Sequence, residues 1–376
     1  MAAKTRLTVA QLIPALDSGG AERCVVDVAQ AVVRAGHRSL VISAGGRLME
    51  ELVAGGSEHI ARRIGRKSPL VLREASWLRA FVQAEKIDLI DIHSRVPAWA
   101  AWLAFGMSRG RPRPALITTV HGFNRPGRYS RIMTQGDVVI AVSDAVRTFL
   151  QTHYGGESRD RIRVVPRGIN TGTFAWQRQV DSEWRERFFQ EFPECRERNL
   201  LTLPGRLTRG KGHVDLLQLV SQLHWRGHDV QGLCVGSRDS QGGYVRELQS
   251  IARDLGIADR ISFTGVRSDL AEIYAASSVV LSLSTKPESF GLVVAEALSM
   301  GRPVVGYAHG GVAEQLSQSY PEGVVEPGHL QQLENAVAAI LSGRVSPPMA
   351  VQTIRTAEMT EKTVAIYEQL IRQRQP

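Results

Sequence analysis

Glu288 and Glu296 stand eight residues apart in Glu-Ser-Phe-Gly-Leu-Val-Val-Ala-Glu, across what reads as a loop-to-helix junction. Leu292 to Met300 contains no helix breaker, Gly301 is a natural C-terminal stop, and Pro303 opens a β-branched strand. Glu296 is thereby placed about one turn into a helix, with Glu288 in the loop before it. Phe290, Gly291 and Leu292, preceded by Ser289, would form the helix N-terminus, where backbone N–H groups have no intrahelical partner. Carboxylates accept hydrogen bonds from the hydroxyls of ribose or hexose, and free amides suit phosphate. This one segment offers a grip on every part of a nucleotide sugar.

A second chemical string is Gly205-Arg206-Leu-x-x-Gly210-Lys211-Gly212, which follows the apolar run Leu200 to Pro204. Its glycines allow close backbone approach, and Arg206 and Lys211 supply positive charge for a departing diphosphate. Gly19-Gly20-Ala-Glu, at the end of the run Leu7 to Pro14, makes a tight loop and a helix N-terminus open to phosphate. Asp17 and Ser18 stand just before it. His121 closes the run Ile117 to Val120, and His93 holds a parallel position in Asp-Ile-His-Ser. His224 and His228 have a metal-like spacing, but Gly227 ends their helix and no carboxylate intervenes, so zinc is rejected. No Asp-x-Asp occurs anywhere, so no metal and no other cofactor is expected; fixed charges and helix dipoles would stabilise the leaving group.

The elements that must position these residues repeat themselves. Gly19-Gly-Ala-Glu-Arg opens an apolar-periodic helix ending at Arg34-Ala-Gly-His37, and Gly210-Lys-Gly-His opens another ending at Trp225-Arg-Gly-His228. Gly19 and Gly210, and likewise His37 and His228, are separated by the same 191 residues. Each unit reads strand, glycine loop, helix, Gly stop, strand, the opening of a doubly wound α/β domain. Two Rossmann-like domains facing across a cleft are expected, with function outside the C-terminal ends of the strands. Residues 1–172 would form one domain and 173–355 the other. Residues 171–180 look like the hinge, a charged helix from Asp181 to Arg198 would enter the second domain, and 356–376 would carry the last helix.

Glu288-x7-Glu296 with Phe290-Gly291 and Gly301-x-Pro303 resembles the signature of retaining glycosyltransferases of family four, which have the GT-B fold of two Rossmann-like domains. Asp269-Leu-x-x-x-Tyr274 and Ala276-Ser-Ser-Val-Val-Leu-Ser-Leu-Ser284 precede it and make the string highly specific. The resemblance implies transfer of a hexose from a nucleoside diphosphate sugar to an acceptor hydroxyl, by front-face attack with the leaving phosphate taking the acceptor proton. It places His121, Glu288, Arg206 and Lys211 at the chemistry. Gly19, Gly20, Gly205, Val266, Ser289, Phe290, Gly291, Leu292 and Glu296 would bind the donor, with Gly265-Val266 seating the base through the backbone. Gly310-Gly311 would complete the sugar pocket, and the last helix would cross back to the first domain. Asp17, His93 and Arg125 are expected on the acceptor side.

The chain has 376 residues, 43% of them hydrophobic, a net charge of +9, and three scattered cysteines that argue against a disulfide framework. Its most apolar stretch, residues 96–107, falls short of the ~20 residues that span a bilayer and reads as a buried core helix. The N-terminal apolar run is too short for a signal peptide, and a cytoplasmic protein is expected. The positive charge indicates an anionic partner. No nucleic-acid-binding motif is present, so a lipid-linked or glycan acceptor and an anionic membrane surface fit better. Arg62, Arg63, Arg66 and Lys67, followed by Leu70, Leu72 and Trp77, read as a segment resting peripherally on the inner face of the cytoplasmic membrane. Lipopolysaccharide or surface-glycan assembly is the expected setting. The alternatives are a nucleotide-sugar epimerase of the same fold, which lacks the glutamate string in this form, and a silent sugar-binding protein, against which the intact charged residues argue.

Overall fold

The structure, a computed structural model, describes residues 6–17, 19–65, 71–106, 113–155, 160–237, 243–350 and 354–374. The chain divides into two compact units, Met1–Gly168 with Ile354–Pro376, and Ile169–Thr353.

The first unit is built on β1 (Thr8–Leu12), β2 (Arg38–Ser43), β3 (Glu58–Ala61), β4 (Leu89–Ile92), β5 (Ala115–Val120), β6 (Val138–Ala141) and β7 (Ile162–Val164). Every pairing is parallel, in the order β3-β2-β1-β4-β5-β6-β7. Strand order reverses at β1 and β4, so the crevice of this doubly wound sheet opens beyond the ends of those two strands. Parallel strands are covered on both faces and so bury both sets of side chains, as Ala115-Leu-Ile-Thr-Thr-Val120 does, with all six residues buried and both threonine hydroxyls hydrogen-bonded. Helix Gly20–Arg34 buries Val28, Ala31 and Val32 in one cluster with Met359, Val364, Tyr367 and Leu370 of helix Thr356–Arg374. The final helix thus completes the core of the first unit, although the 185 residues of the other unit precede it.

The second unit carries β8 (Asn199–Pro204), β9 (Val230–Val235), β10 (Ile261–Gly265), β11 (Val279–Ser282), β12 (Val304–Tyr307) and β13 (Val324–Val325), again all parallel, in the order β10-β9-β8-β11-β12-β13. Its switch point lies between β8 and β11. Both glycine loops therefore leave a strand at the switch point of their sheet, β1 in the first unit and β8 in the second.

Two expectations need correction. Residues 171–180 are not a free hinge. Phe174 packs in a core cluster of the second unit, Gln177 N–H donates to Met300 O at 3.2 Å, and Arg178 pairs with Glu272. Gly301 lies against the Trp176 ring, which an added Cβ would approach to 2.9 Å. Apolar rings at 174 and 176 outweigh the polar look of the segment. The charged helix is shorter than expected: Ser182–Glu191, N-capped by Asp181, stops before Pro193, and a single 3-10 turn follows. The apolar stretch is a buried core helix, as expected, α-helical over Arg95–Ala101 and widening to a π turn at Trp102–Gly106.

Candidate functional site

Glu288 sits in the loop after β11 and is held from several directions. Lys211 Nζ lies 2.5 Å from Glu288 Oε1, and Ser284 Oγ donates to the same oxygen. Lys211 reaches it because its loop is docked on the end of β11: Thr285 N–H donates to Gly210 O at 3.0 Å. Gly212 has φ +78°, and a Cβ there would stand 2.1 Å from Leu283 O, so only glycine allows this approach. The two chemical strings, 77 residues apart, thus converge as one ion-paired cluster.

Gly310 and Gly311 belong to this cluster in a role different from the expected sugar pocket. Gly311 N–H donates to Glu288 O at 2.7 Å. Gly310 has φ +59°, and a Cβ there would meet Glu288 O at 2.3 Å. The pair grips the backbone of Glu288. From the same helix, Gly310–Ser319, Gln315 Nε2 donates to Phe290 O and to Gly291 O, the latter at 3.2 Å. His309 Nε2 donates to Ser284 O at 2.6 Å. Ser284, His309 and Gln315 therefore set the shape of the 284–291 turn. Sequence reasoning gave them no role; the one available signal was Gln315 standing one helical turn beyond Gly311.

Gly291, at φ +83°, caps the helix Leu292–Ser299, so the turn of Ser289 and Phe290 leads straight into the helix N-terminus. Glu296 lies on that helix beside the fully buried Tyr274, whose hydroxyl donates to Glu296 Oε2 at 3.4 Å. Burial pushes the Glu296 carboxyl up to about 8, partly opposed by the Tyr274 hydrogen bond. Without a ligand this carboxyl is mostly protonated at neutral pH.

Gly205 follows β8 at φ +139°, and Gly236 passes so close that a Cβ would lie 1.9 Å from Gly205 O. Arg206 is exposed and forms no ion pair among the described residues. Val266 follows β10 and is 67% exposed, at the edge of a cavity of about 420 Å³ lined also by Trp184, Phe188, Arg267 and Asp269. Arg267 is fastened there by Asp269 and Glu191, both at 2.7 Å.

In the first unit, Gly19 and Gly20 begin helix Gly20–Arg34, and the buried Arg167 donates to Gly20 O. Gln11 on β1, Asp91 and His93 around the end of β4, and His121 after β5 form a polar cluster. His93 Nδ1 lies 2.8 Å from His121 Nε2, with the ring planes 21° apart and the centroids 5.1 Å apart, so the rings meet edge to edge, and His93 Nε2 lies 3.1 Å from Gln11 Oε1. Asp91 accepts from Thr119 Oγ1 at 2.8 Å and from the Tyr367 hydroxyl of the final helix. Burial lowers the basicity of both imidazoles, that of His121 strongly, helped by His93 and Arg167. His93 was expected to line the acceptor side. It is 7% exposed and enclosed by this network, because a strand-end side chain at the sheet centre points into the core. Asp17 and Arg125 are exposed and form no hydrogen bond among the described residues.

The basic segment is only partly free. Arg62 pairs with Glu74 at 2.9 Å and lies 4.5 Å over the Trp77 ring, which stacks on Phe81. Arg63 is exposed, whereas Ser18, Arg66, Lys67 and Leu70 lie outside the described residues. Among the described residues no helix is long and apolar enough to cross a membrane.

Comparison with known proteins matches residues 18–173 to the family described as Glycosyltransferase Family 4, and residues 184–359 to Glycosyl transferases group 1. A D-inositol 3-phosphate glycosyltransferase of Xylanimonas cellulosilytica is 29% identical over 262 residues, 64% of this chain and 60% of that protein. Among solved structures, a glycosyltransferase of Rickettsia africae aligns with a TM-score of 0.85 and 26% identity, over 97% of this chain and 99% of that one. HepE of Anabaena, solved with UDP and glucose, has a TM-score of 0.74 at 23% identity, over 98% of each chain, and shows the shared fold.

Proposed function

The chain belongs to the group 1 glycosyltransferases of GT-B fold, and we propose that it moves a hexose from a nucleoside diphosphate sugar to an acceptor hydroxyl with retention of configuration. The observation that carries this reading is the ion-paired cluster of Lys211, Glu288 and Ser284, set in the loop that leads into the helix bearing Glu296. Lys211 and the exposed Arg206 neutralise the diphosphate as negative charge builds on it, aided by the amides around Gly291. Glu296 takes both ribose hydroxyls as a carboxylate, which requires it to give up its proton. Glu288, freed from Lys211 by the phosphate, orients the sugar. The bond from the anomeric carbon to phosphate oxygen breaks while the acceptor oxygen bonds to the same face. The acceptor proton passes to the leaving phosphate, so neither a covalent enzyme intermediate nor a metal ion is required.

The acceptor in this reading belongs to a surface glycan or its lipid-linked precursor. Support comes from the basic residues of the first unit, with Arg63, Arg125 and Arg128 exposed. A screen of nucleoside diphosphate sugars for thermal stabilisation tests the donor assignment, since binding to the native state raises Tm by mass action. Release of nucleoside diphosphate on adding acceptor tests the transfer. A protein stabilised by no such donor refutes the proposal.

A further inference from the structure

Gln11, His93 and His121 form a hydrogen-bonded line in the first unit, and its chemistry allows one arrangement of protons. Gln11 is fully buried, and its Nε2 donates to Val25 O at 3.1 Å. Its other amide atom, Oε1, faces His93 and can only accept. Asp91 Oδ2, 3.5 Å from the same ring nitrogen, is likewise an acceptor. His93 Nε2 must therefore carry hydrogen. In a neutral ring Nδ1 then holds a lone pair, and His121 Nε2, 2.8 Å away, must donate to it. We infer that Gln11 and His93 are positioning residues that lock His121 in the Nε2–H tautomer, so that its Nδ1 accepts a hydrogen bond from a hydroxyl of the bound sugar. The sugar contact rests on the family resemblance, which places His121 at the chemistry.

The competing arrangement has a cationic His93 donating from Nδ1, which would turn His121 Nδ1 into a donor. Two features oppose it. Asp91 already receives hydrogen bonds from Thr119 and Tyr367. Arg167 lines the same small cavity as Asp91 and His93, so a cation is already present beside them. A second buried positive charge there would be costly. His121 Nδ1 has no partner among the described residues, which leaves it for a ligand. An acceptor at this position selects a hydroxyl and repels a carboxylate, so a neutral hexose is favoured over a uronic acid oriented to place its acid group there.

The test uses the full chain with ¹⁵N-labelled histidine and long-range ¹H–¹⁵N imidazole spectra at pH 7.5, the His121 signals being assigned by their loss in His121→Phe. Wild type should show Nε2–H for both rings. His93→Leu removes the acceptor and should leave His121 averaging both tautomers. His93→Asn, whose Oδ1 replaces Nδ1, should restore the wild-type pattern, and it carries the comparison where the leucine variant does not fold. In donor turnover, losing one oriented hydrogen bond should lower kcat/KM about threefold to tenfold in His93→Leu, with recovery in His93→Asn. A wild-type His121 protonated at Nδ1, or a His121 tautomer unchanged in His93→Leu, overturns the inference. UDP-glucose and GDP-mannose are then added at saturation. Correct tautomers with no response of His121 to either would overturn the sugar contact alone. Loss of nucleotide binding in Glu296→Ala reports separately on the donor site.

Discussion

Donor binding should release a proton from Glu296. Its carboxyl stands at about 8 because it is buried and, among the described residues, has only the Tyr274 hydroxyl as side-chain partner. Two ribose hydroxyls need it ionised, so binding pulls its pKa down toward the ordinary ~4.3. The sign follows from linkage: affinity rises with pH through the bound-state pKa and levels off above the free-state value. With the free value at about 8, only about one molecule in a hundred is ionised at pH 6. Binding there should be about a hundredfold weaker than on the plateau above pH 9, or about 2.7 kcal/mol at 1.36 kcal/mol per pKa unit. At pH 7, about 0.9 proton should leave per nucleotide sugar bound. Titration calorimetry in two buffers of different ionisation enthalpy measures that proton directly. A nucleotide sugar is the right ligand, because its diphosphate does not titrate near neutrality whereas a free nucleoside diphosphate does. Glu296→Gln keeps the shape and should bind with no proton release and no pH slope. Near-zero release by wild type at pH 7, or equal release by both proteins, would refute the ribose role. The same group should act on stability. Its folded-state pKa lies above the unfolded one, so stability falls as pH rises from about 4.5 through 8. Glu296→Gln should flatten that part of a Tm-against-pH curve.

Gly310→Ala should damage turnover more than donor binding. The new Cβ meets Glu288 O and the left-handed backbone costs about 1–2 kcal/mol. A loss of about 1.4 kcal/mol from Glu288 at the transition state lowers kcat about tenfold, and unchanged kcat would remove the backbone-grip argument. Tyr367→Phe breaks the bond from the final helix to Asp91 and should cost about 1.5–3 kcal/mol by denaturant unfolding, as a hydrogen bond to a charged group. A cost within error of zero would show that Asp91 does not depend on that helix. Turnover in excess EDTA should match that without it, since Lys211, Arg206 and helix amides neutralise the diphosphate; loss with rescue by Mg²⁺ would contradict this. Vesicle co-sedimentation at low salt should weaken in Arg63→Ser more than in Arg62→Ser, because Arg62 is occupied by Glu74 and Trp77. Equal binding by both variants and wild type would dismiss the basic segment as a membrane contact.

Much of the fold was legible because its signals are local. The repeat of glycine loop, helix and strand at an interval of 191 residues indicated two doubly wound sheets, and each loop proved to leave a strand at the switch point of its sheet. Strand edges were placed within a residue or two, since β-branched runs end at Pro and Gly. The segment 171–180 was misjudged because hinge composition and a packed coil look alike until Trp176 is seen against Gly301. The burial of His93 was not legible, because burial at the centre of a sheet depends on strand order, which a strand's own residues do not encode.

The sequence by itself determined the chemical inventory: two glutamates around a helix start, two cations in a glycine loop and histidines at strand ends. Only the tertiary structure decided how those groups are charged and held. Lys211 meets Glu288, Gly310 and Gly311 take hold of the Glu288 backbone, and Tyr367 reaches Asp91 from 276 residues away. The protonation of Glu296 and the tautomer of His121 are likewise properties of burial and of neighbours contributed by other strands and helices. Residue type and spacing follow from local chain chemistry, whereas desolvation and partner geometry exist only once distant segments have packed together.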